Sequence, residues 1–303
     1  MNYSMFIEQI TKIIERRLDH RAQIQISRIQ KVNKPPTDGM TILLPGENTA
    51  PAIYLDSFYQ EYLLGIDLDT IAEEILDFHL NNRRTGTFDL SFYMNFDLAR
   101  KNIVCRVINY EANRVLLCTI PHQRFLDLAI IYYYRMDDSV FGRSSILVRN
   151  AHTEMWGISQ ERLHTIALTN TRRLLPFRLD SMDDFLCERI PGYTCFMPEV
   201  SRPPLYILTN EDFSFGAVNI IFDDVLERIS QETCENYYVL PSSIHECLIL
   251  PFGTCDDELG WETIQDIVKE INENYVSPEE ILGNHIYKYT RDSHRLQIVS
   301  AQI

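Results

Sequence analysis

The sequence predicts an α+β protein: two mixed sheet-and-helix modules, largely antiparallel strands with flanking helices. Three observations predict it. The 303 residues exceed the length at which one core is comfortable, so two domains of about 150 residues are the default. Apolar stripes at three-to-four spacing are interspersed with short apolar runs that end at turn residues, the two periods of helix and half-buried strand. Residues 176–204 hold five prolines and one glycine, so the modules are expected at 1–175 and 205–303 with that proline-rich stretch as their connection. Apolar residues make up 45% of the chain and aromatics 11%, ample for real cores and too many for disorder.

Taken in order, Phe6, Ile10, Ile13, Ile14 and Leu18 form the stripe of an opening helix whose other face is basic. Ile24, Ile26 and Ile29 suggest a strand, and Pro35-Pro36 with Asp38-Gly39 a turn before a second strand, Met40 to Leu44. Ala52 to Leu55 reads as a third. A helix from Asp67 to about Arg83 presents Leu68, Ile71, Ala72, Ile75 and Phe78 on one face, with Asp67 suited to cap it and His79 at the boundary of that face. Val104 to Asn109 and Arg114 to Ile120 look like strands about a Tyr110–Asn113 turn. Leu126 to Tyr134 and Ile146 to Arg149 look like two more. Ser159 begins a helix with the stripe Leu163, Ile166, Ala167, Asn170 and Leu174, and Ser181 a short one. Strand 205–208, the apolar run 217–222, helix 224–232, strand 237–240, the turn at Ser242-Ser243 and strand 246–250 follow. A helix from Glu258 to Asn274 turns Trp261, Ile264, Val268 and Ile271 inward. Ser277-Pro278-Glu279-Glu280 fits a capping box that starts a short helix, and a hairpin of 285–289 with 295–299 ends the chain.

Charge is the most uneven feature. The formal net charge is −15, and residues 211–280 alone hold 17 Asp and Glu against Arg228 and Lys269; the remaining 233 residues balance 26 acids with 26 bases. Such a field repels nucleic acid and anionic lipid and attracts basic protein surfaces. Residues 1–34 are the opposite, with seven Lys or Arg against three acids. No apolar run approaches the roughly 20 residues of a membrane helix, and Glu8, Glu15 and Asp19 interrupt the N-terminal apolar residues, unlike a signal peptide. A cytoplasmic protein is expected. Seven cysteines without a Cys-x-x-Cys pair argue for reduced thiols and against a zinc site or a disulfide framework. No Walker loop, Gly-x-Gly-x-x-Gly, EF-hand loop or nucleic-acid signature is present, so no cofactor, no metal and no direct nucleic-acid binding are expected.

Two polar clusters are candidates for chemistry. Ser243, His245 and Glu246 lie between two apolar strands, the residue types of a hydrolase, although Gly-x-Ser-x-Gly is absent and Ile249 stands where His-Glu-x-x-His needs its second His. The alternative is a hairpin turn with a capping histidine. Arg149, Asn150, His152 and Glu154 fall where a strand gives way to a helix, where a polar ligand can be oriented; the alternative is a capped helix start with Trp156 in the core. Asn170, on an apolar stripe, is either a ligand contact or an amide bonded to a neighbouring backbone edge. Glu258, Glu262, Asp266, Glu270 and Glu273 repeat at three-to-four spacing opposite Trp261 and should make an acidic helical face. Arginine outnumbers lysine 22 to 6, with seven Arg and no Lys between Arg135 and Arg178. This is either an anion-binding face or a set of partners for the acidic half.

The segments Pro51-Ala-Ile-Tyr-Leu55, Val107-Ile-Asn-Tyr-Glu111, Pro121-His-Gln-Arg-Phe-Leu-Asp-Leu-Ala129, Glu154-Met-Trp-Gly157, Asn170-Thr-Arg-Arg-Leu-Leu-Pro176 and Leu240-Pro-Ser-Ser-Ile-His-Glu246 occur in an order that resembles a family of uncharacterised bacterial proteins, a domain of unknown function common in anaerobic gut bacteria. The helix of Ala167 and Asn170 is more distantly similar to a second such family. The resemblance implies a bacterial cytoplasmic origin and a full-length unit, and carries no catalytic residues with it.

Two functional expectations from different classes follow. The leading one is a non-enzymatic binding or interaction protein whose acidic C-terminal surface meets a basic protein partner, imitating nucleic-acid charge. The other is a small-molecule hydrolase or other enzyme using His245 with Ser243 or Glu246, assisted by the Arg149–Glu154 cluster. A solvated acidic surface with no partner is the background against which the first is weighed.

Overall fold

A computed structural model describes residues 1–83, 85–138, 142–190, 192, 204–241, 243–252 and 260–299, and in it Asn2 accepts a hydrogen bond from the Met5 N–H to start α1 (Tyr3–Arg17). Phe6, Ile10 and Ile14 on its inner face are fully buried, each contributing about 2 kcal/mol relative to exposure. β1 (Gln23–Ile29) pairs antiparallel with β2 (Thr37–Leu43), Gln23 opposite Leu43 and Ile29 opposite Thr37. Asp38 and Gly39 therefore lie inside β2 rather than in a turn. A Cβ at 39 would meet Ile29 Cδ1, the flexible end of a side chain. β3 (Ile53–Tyr54) runs straight into α2 (Leu55–Leu63), a helix absent from the sequence reading because Tyr54, at its start, makes no side-chain cap. Asp67 caps α3 (Leu68–Asn82) through the Asp69 and Thr70 N–H groups. Ile71, Ala72 and Ile75 face inward as expected, but Phe78 is 42% exposed and His79 fully buried. These elements share a core of their own residues, including Met40, Ile42, Ile53 and Leu55.

The chain divides into two units, Met1–Ser91 and Phe92–Ile303. The proline-rich stretch at 176–204 lies inside the second. Before its first sheet come α4 (Ser91–Met94) and α5 (Phe96–Ala99). β4 (Ile103–Asn109) is followed not by the expected strand at 114–120 but by α6 (Arg114–Leu117). The Asn109 side chain accepts from the Ala112 N–H and starts a tight turn, and Leu116 and Leu117 are buried in the helix that follows. The sheet is built on β6 (Leu128–Asp138), with β4 along one edge and β5 (His122–Phe125) then β7 (Gly142–Leu147) along the other. α7 (Asn150–Trp156) ends at Gly157 in a left-handed conformation. Ser159 caps α8 (Gln160–Leu174), which lies on the β4 face carrying Cys105, where the Cys105 N–H donates to Thr171 Oγ1 at 2.8 Å.

The second sheet has the order β13-β12-β10-β11-β9-β8, every neighbour antiparallel. β8 (Phe177–Ser181), at the start of the proline-rich stretch, pairs with β9 (Tyr206–Asn210), just beyond it, with α9 (Met182–Arg189) between them, capped by Ser181. The apolar run after β9 is a buried 3-10 turn, Gly216–Ile221, and α10 (Asp223–Thr233) follows. β10 (Tyr237–Leu240) and β11 (Cys247–Pro251) are the central strands. α11 (Trp261–Tyr275) covers one face through Ile264 and Val268, against Tyr238, Leu240 and Leu250. Ile271, expected inward, is 38% exposed. Residues 277–280 make a single turn instead of a helix, because Ile281 bridges to Ser243 and the Ile244 N–H donates to the Glu280 carbonyl, which pulls the chain back to the sheet. β12 (Tyr287–Thr290) and β13 (Arg295–Ile298) form the expected hairpin. Among the described residues Cys105, Cys118, Cys187, Cys234 and Cys247 are free thiols. No described helix is long and apolar enough to cross a membrane.

Candidate functional site

His245 sits on the connection between β10 and β11 at an open cleft of about 390 Å³ lined by Phe213, Ser243, Glu246, Tyr275 and Glu280. The local geometry comes from the loop after β9. Asn210, fully buried, accepts the Ser214 N–H on Oδ1 and donates from Nδ2 to the Ser214 carbonyl. That clamp holds Phe213 and Phe215 at φ 51° and 56°, a left-handed backbone that bulky residues rarely adopt and that recurs at binding sites. The Phe215 N–H donates to His245 Nδ1 at 3.2 Å, so the neutral ring carries its proton on Nε2, which lies 3.5 Å from Glu280 Oε1.

Ser243 is not poised as a nucleophile toward this ring. It is 5% exposed, its Oγ accepts the His245 backbone N–H at 2.9 Å, and its hydroxyl is engaged by Glu246. Burial raises the Glu246 carboxyl above its ordinary value, against the pull of His245 and the Ser243 hydroxyl. The Arg189 guanidinium lies over the Phe213 ring at 3.8 Å. Two carboxyl groups and an imidazole beside two aromatic rings suit an ammonium or guanidinium guest.

The second cluster is a capped helix start. His152 Nδ1 accepts the Arg149 N–H at 3.0 Å and meets the Tyr93 hydroxyl at 2.8 Å, and Trp156 Nε1 donates to the Tyr93 carbonyl. Burial, reinforced by Arg149, lowers the His152 pKa. Asn150 donates to the Cys118 carbonyl at 3.4 Å, and Glu154 is exposed. Asn170 gives its amide to the Arg100 and Ile103 carbonyls at 2.7 and 2.9 Å. His152 and His245 thus line different places.

The acids of 211–280 do not share one face. Asp212 pairs with Arg135 at 3.0 Å and Asp224 with both nitrogens of Arg172, so part of the charge is met within the chain. Glu262, Asp266, Glu270 and Glu273 lie exposed along α11, Glu273 within 4.0 Å of Lys269; Glu258 is outside the described residues. Beside them runs a row the sequence reading missed: Ile267, Ile271 and Tyr275, exposed by 45%, 38% and 83%. Its signal was the i, i+4, i+8 spacing, hidden because the buried stripe through Ile264 and Val268 absorbed the apolar count. Tyr275 also lines the His245 cleft.

A further pair was invisible in sequence because 158 residues separate its members. Asp127 accepts His285 Nδ1 at 2.8 Å and the Tyr287 hydroxyl at 2.7 Å, tying the β5–β6 turn to the start of β12. A larger cleft of about 720 Å³ opens beside Cys234, Tyr289 and Arg291, where the Arg291 guanidinium donates to the Cys234 carbonyl and its backbone N–H to Asn236 Oδ1. Among the described residues no group of three or more His, Cys, Asp or Glu is arranged to hold a metal ion.

No curated protein and no solved structure matches the chain. The family of unknown function DUF5688 matches residues 3–291, nearly the whole length, and the chain belongs to that family.

Proposed function

We propose that this protein is a docking module that takes up a basic, partly apolar segment of another protein along α11 and into the His245 cleft. The observation that carries the reading is the exposed row Ile267, Ile271 and Tyr275, flanked by Glu262, Asp266, Glu270 and Glu273 and running into a cleft edged by Glu246 and Glu280. A contiguous apolar row on a solvent-facing helix is unfavourable unless something covers it. The acids beside it select a cover of positive sign and speed its encounter. At the end of the row the Glu280 carboxylate and the Tyr275 ring suit a terminal Lys or Arg side chain. The engagement of the Ser243 hydroxyl by its own neighbours favours this reading over a hydrolase.

A fluorescent helical peptide alternating Lys and Leu at three-to-four spacing is the probe. Anisotropy should report saturable binding that weakens with salt, and reversing Glu262, Asp266 and Glu270 to Lys should cut affinity roughly tenfold or more. Ile271→Ser should do the same without altering the salt slope. Binding indifferent to both changes would sink the proposal.

A further inference from the structure

The Arg106 guanidinium extends from β4 over the rings of Tyr133 and Phe215, 3.9 and 3.4 Å from their centroids, and one of its nitrogens donates to Ser145 Oγ at 3.0 Å. It is largely withdrawn from water, and burial lowers its pKa to about 10. A charge in such surroundings is costly without a counter-charge. Three other half-buried arginines have one: Arg83 meets Glu47, Arg135 meets Asp212, and Arg178 meets Asp180 and Glu188. Among the described residues no carboxylate pairs with Arg106, nor with Arg149.

Strand register brings these groups to one face. Arg106 stands opposite Ile131, Tyr133 opposite Leu147, and Ser145 opposite Arg135. Alternation places Arg106, Tyr133, Ser145 and Leu147 on the same side of the sheet, and Arg149 follows Leu147 by two residues. Burial raises the Tyr133 hydroxyl above the ordinary tyrosine value while Arg106 and Arg149 both pull it down, so both guanidiniums act on one phenol.

We propose that Arg106, Arg149, Tyr133 and Ser145 form a binding site for the oxyanion group of a small molecule, a phosphate monoester or a carboxylate. Guanidinium groups offer paired N–H donors that fit either group, and the phenol and serine hydroxyls supply further donors. The rings under Arg106 hold its plane and limit the entropy lost on binding. On a chain of net charge −15, the general field opposes anions, so uptake requires a local site of this kind. The site shares no residue with the α11 row, although Phe215 under Arg106 also bonds His245 through its N–H, and because the two tests alter different residues, failure of one is distinguishable from failure of the other.

The test is NMR titration of the full chain at constant ionic strength with phenyl phosphate in one arm and succinate in the other, following the Arg106 Nε–H signal. One arm should saturate at millimolar concentration or below, and the arm that does so identifies the group recognised. Arg149→Gln, at the start of α7, with folding verified by circular dichroism, should weaken binding about tenfold, and Arg106→Met, read from the Ser145 amide signal, should abolish it. Arg162→Gln, whose guanidinium lies over Phe96 elsewhere, should change nothing. Absence of saturation in both arms, or equal affinity in the folded Arg149→Gln protein, overturns the site.

Discussion

His79 is fully buried and neither ring nitrogen has a hydrogen-bond partner among the described residues. Burial, with Arg83 adding to it against Glu47, lowers its pKa below the ordinary value of 6.5. The unfolded chain therefore takes up a proton near pH 6.5 that the folded one refuses. The contribution to stability is complete above that pH and lost as pH falls through the folded value. His79→Leu should lessen the acid sensitivity of the first unit, gaining more stability at pH 5 than at pH 8 in urea melts. Equal gains at both pH values would show that the imidazole is not the cause. The same scale explains the limits of reading residues one at a time. Asn170 was recognisable as an amide that must be bonded, because its place on an apolar stripe says so. Arg106 was not, since a lone arginine in a strand does not announce which rings will lie under it or that no carboxylate will arrive.

Elements were legible wherever one face and one cap decided them. α3 and α8 begin at Asp67 and Ser159 as their caps require, and β12 and β13 pair as a hairpin. Misreadings fell where long-range packing outweighed the local pattern: 114–117 became helix, 277–280 stayed a turn, and α2 formed without a cap. Gly216 shows such packing at its tightest. A Cβ there would lie 2.6 Å from the Asn210 nitrogen and 2.7 Å from the Thr209 carbonyl carbon, both backbone atoms. At Gly39 the obstacle is the end of the Ile29 side chain, which can swing aside. Gly216→Ala should thus cost about 3 kcal/mol and Gly39→Ala about 1 kcal/mol. Chemical denaturation checks the order, and a larger loss at Gly39 would contradict it.

At the scale of the whole chain, the first unit draws its core entirely from its own residues, from Phe6 to Ile75. A fragment of residues 1–91 should fold alone, with a cooperative thermal transition and dispersed amide resonances. A fragment 1–175, cut at the boundary that composition suggested, should instead strip Leu208, Val218, Ile220 and Val239 from the core they share with Ile103, Val107, Leu163 and Ala167, and aggregate through the apolar face so exposed. Gel filtration of the two fragments distinguishes these outcomes.

By itself the sequence determined the α+β class, most helix starts, the terminal hairpin and the concentration of acid in 211–280. Those follow from periodicity, caps and counting, which are local properties of the chain. Only the tertiary structure decided where the units divide, that Asp212 and Asp224 are met by arginines, and that His245 faces Glu280 while Ser243 turns to its own backbone. These depend on which side chains meet across scores of residues. Such meetings are set by the packing of sheets and helices and leave no periodic trace in the chain.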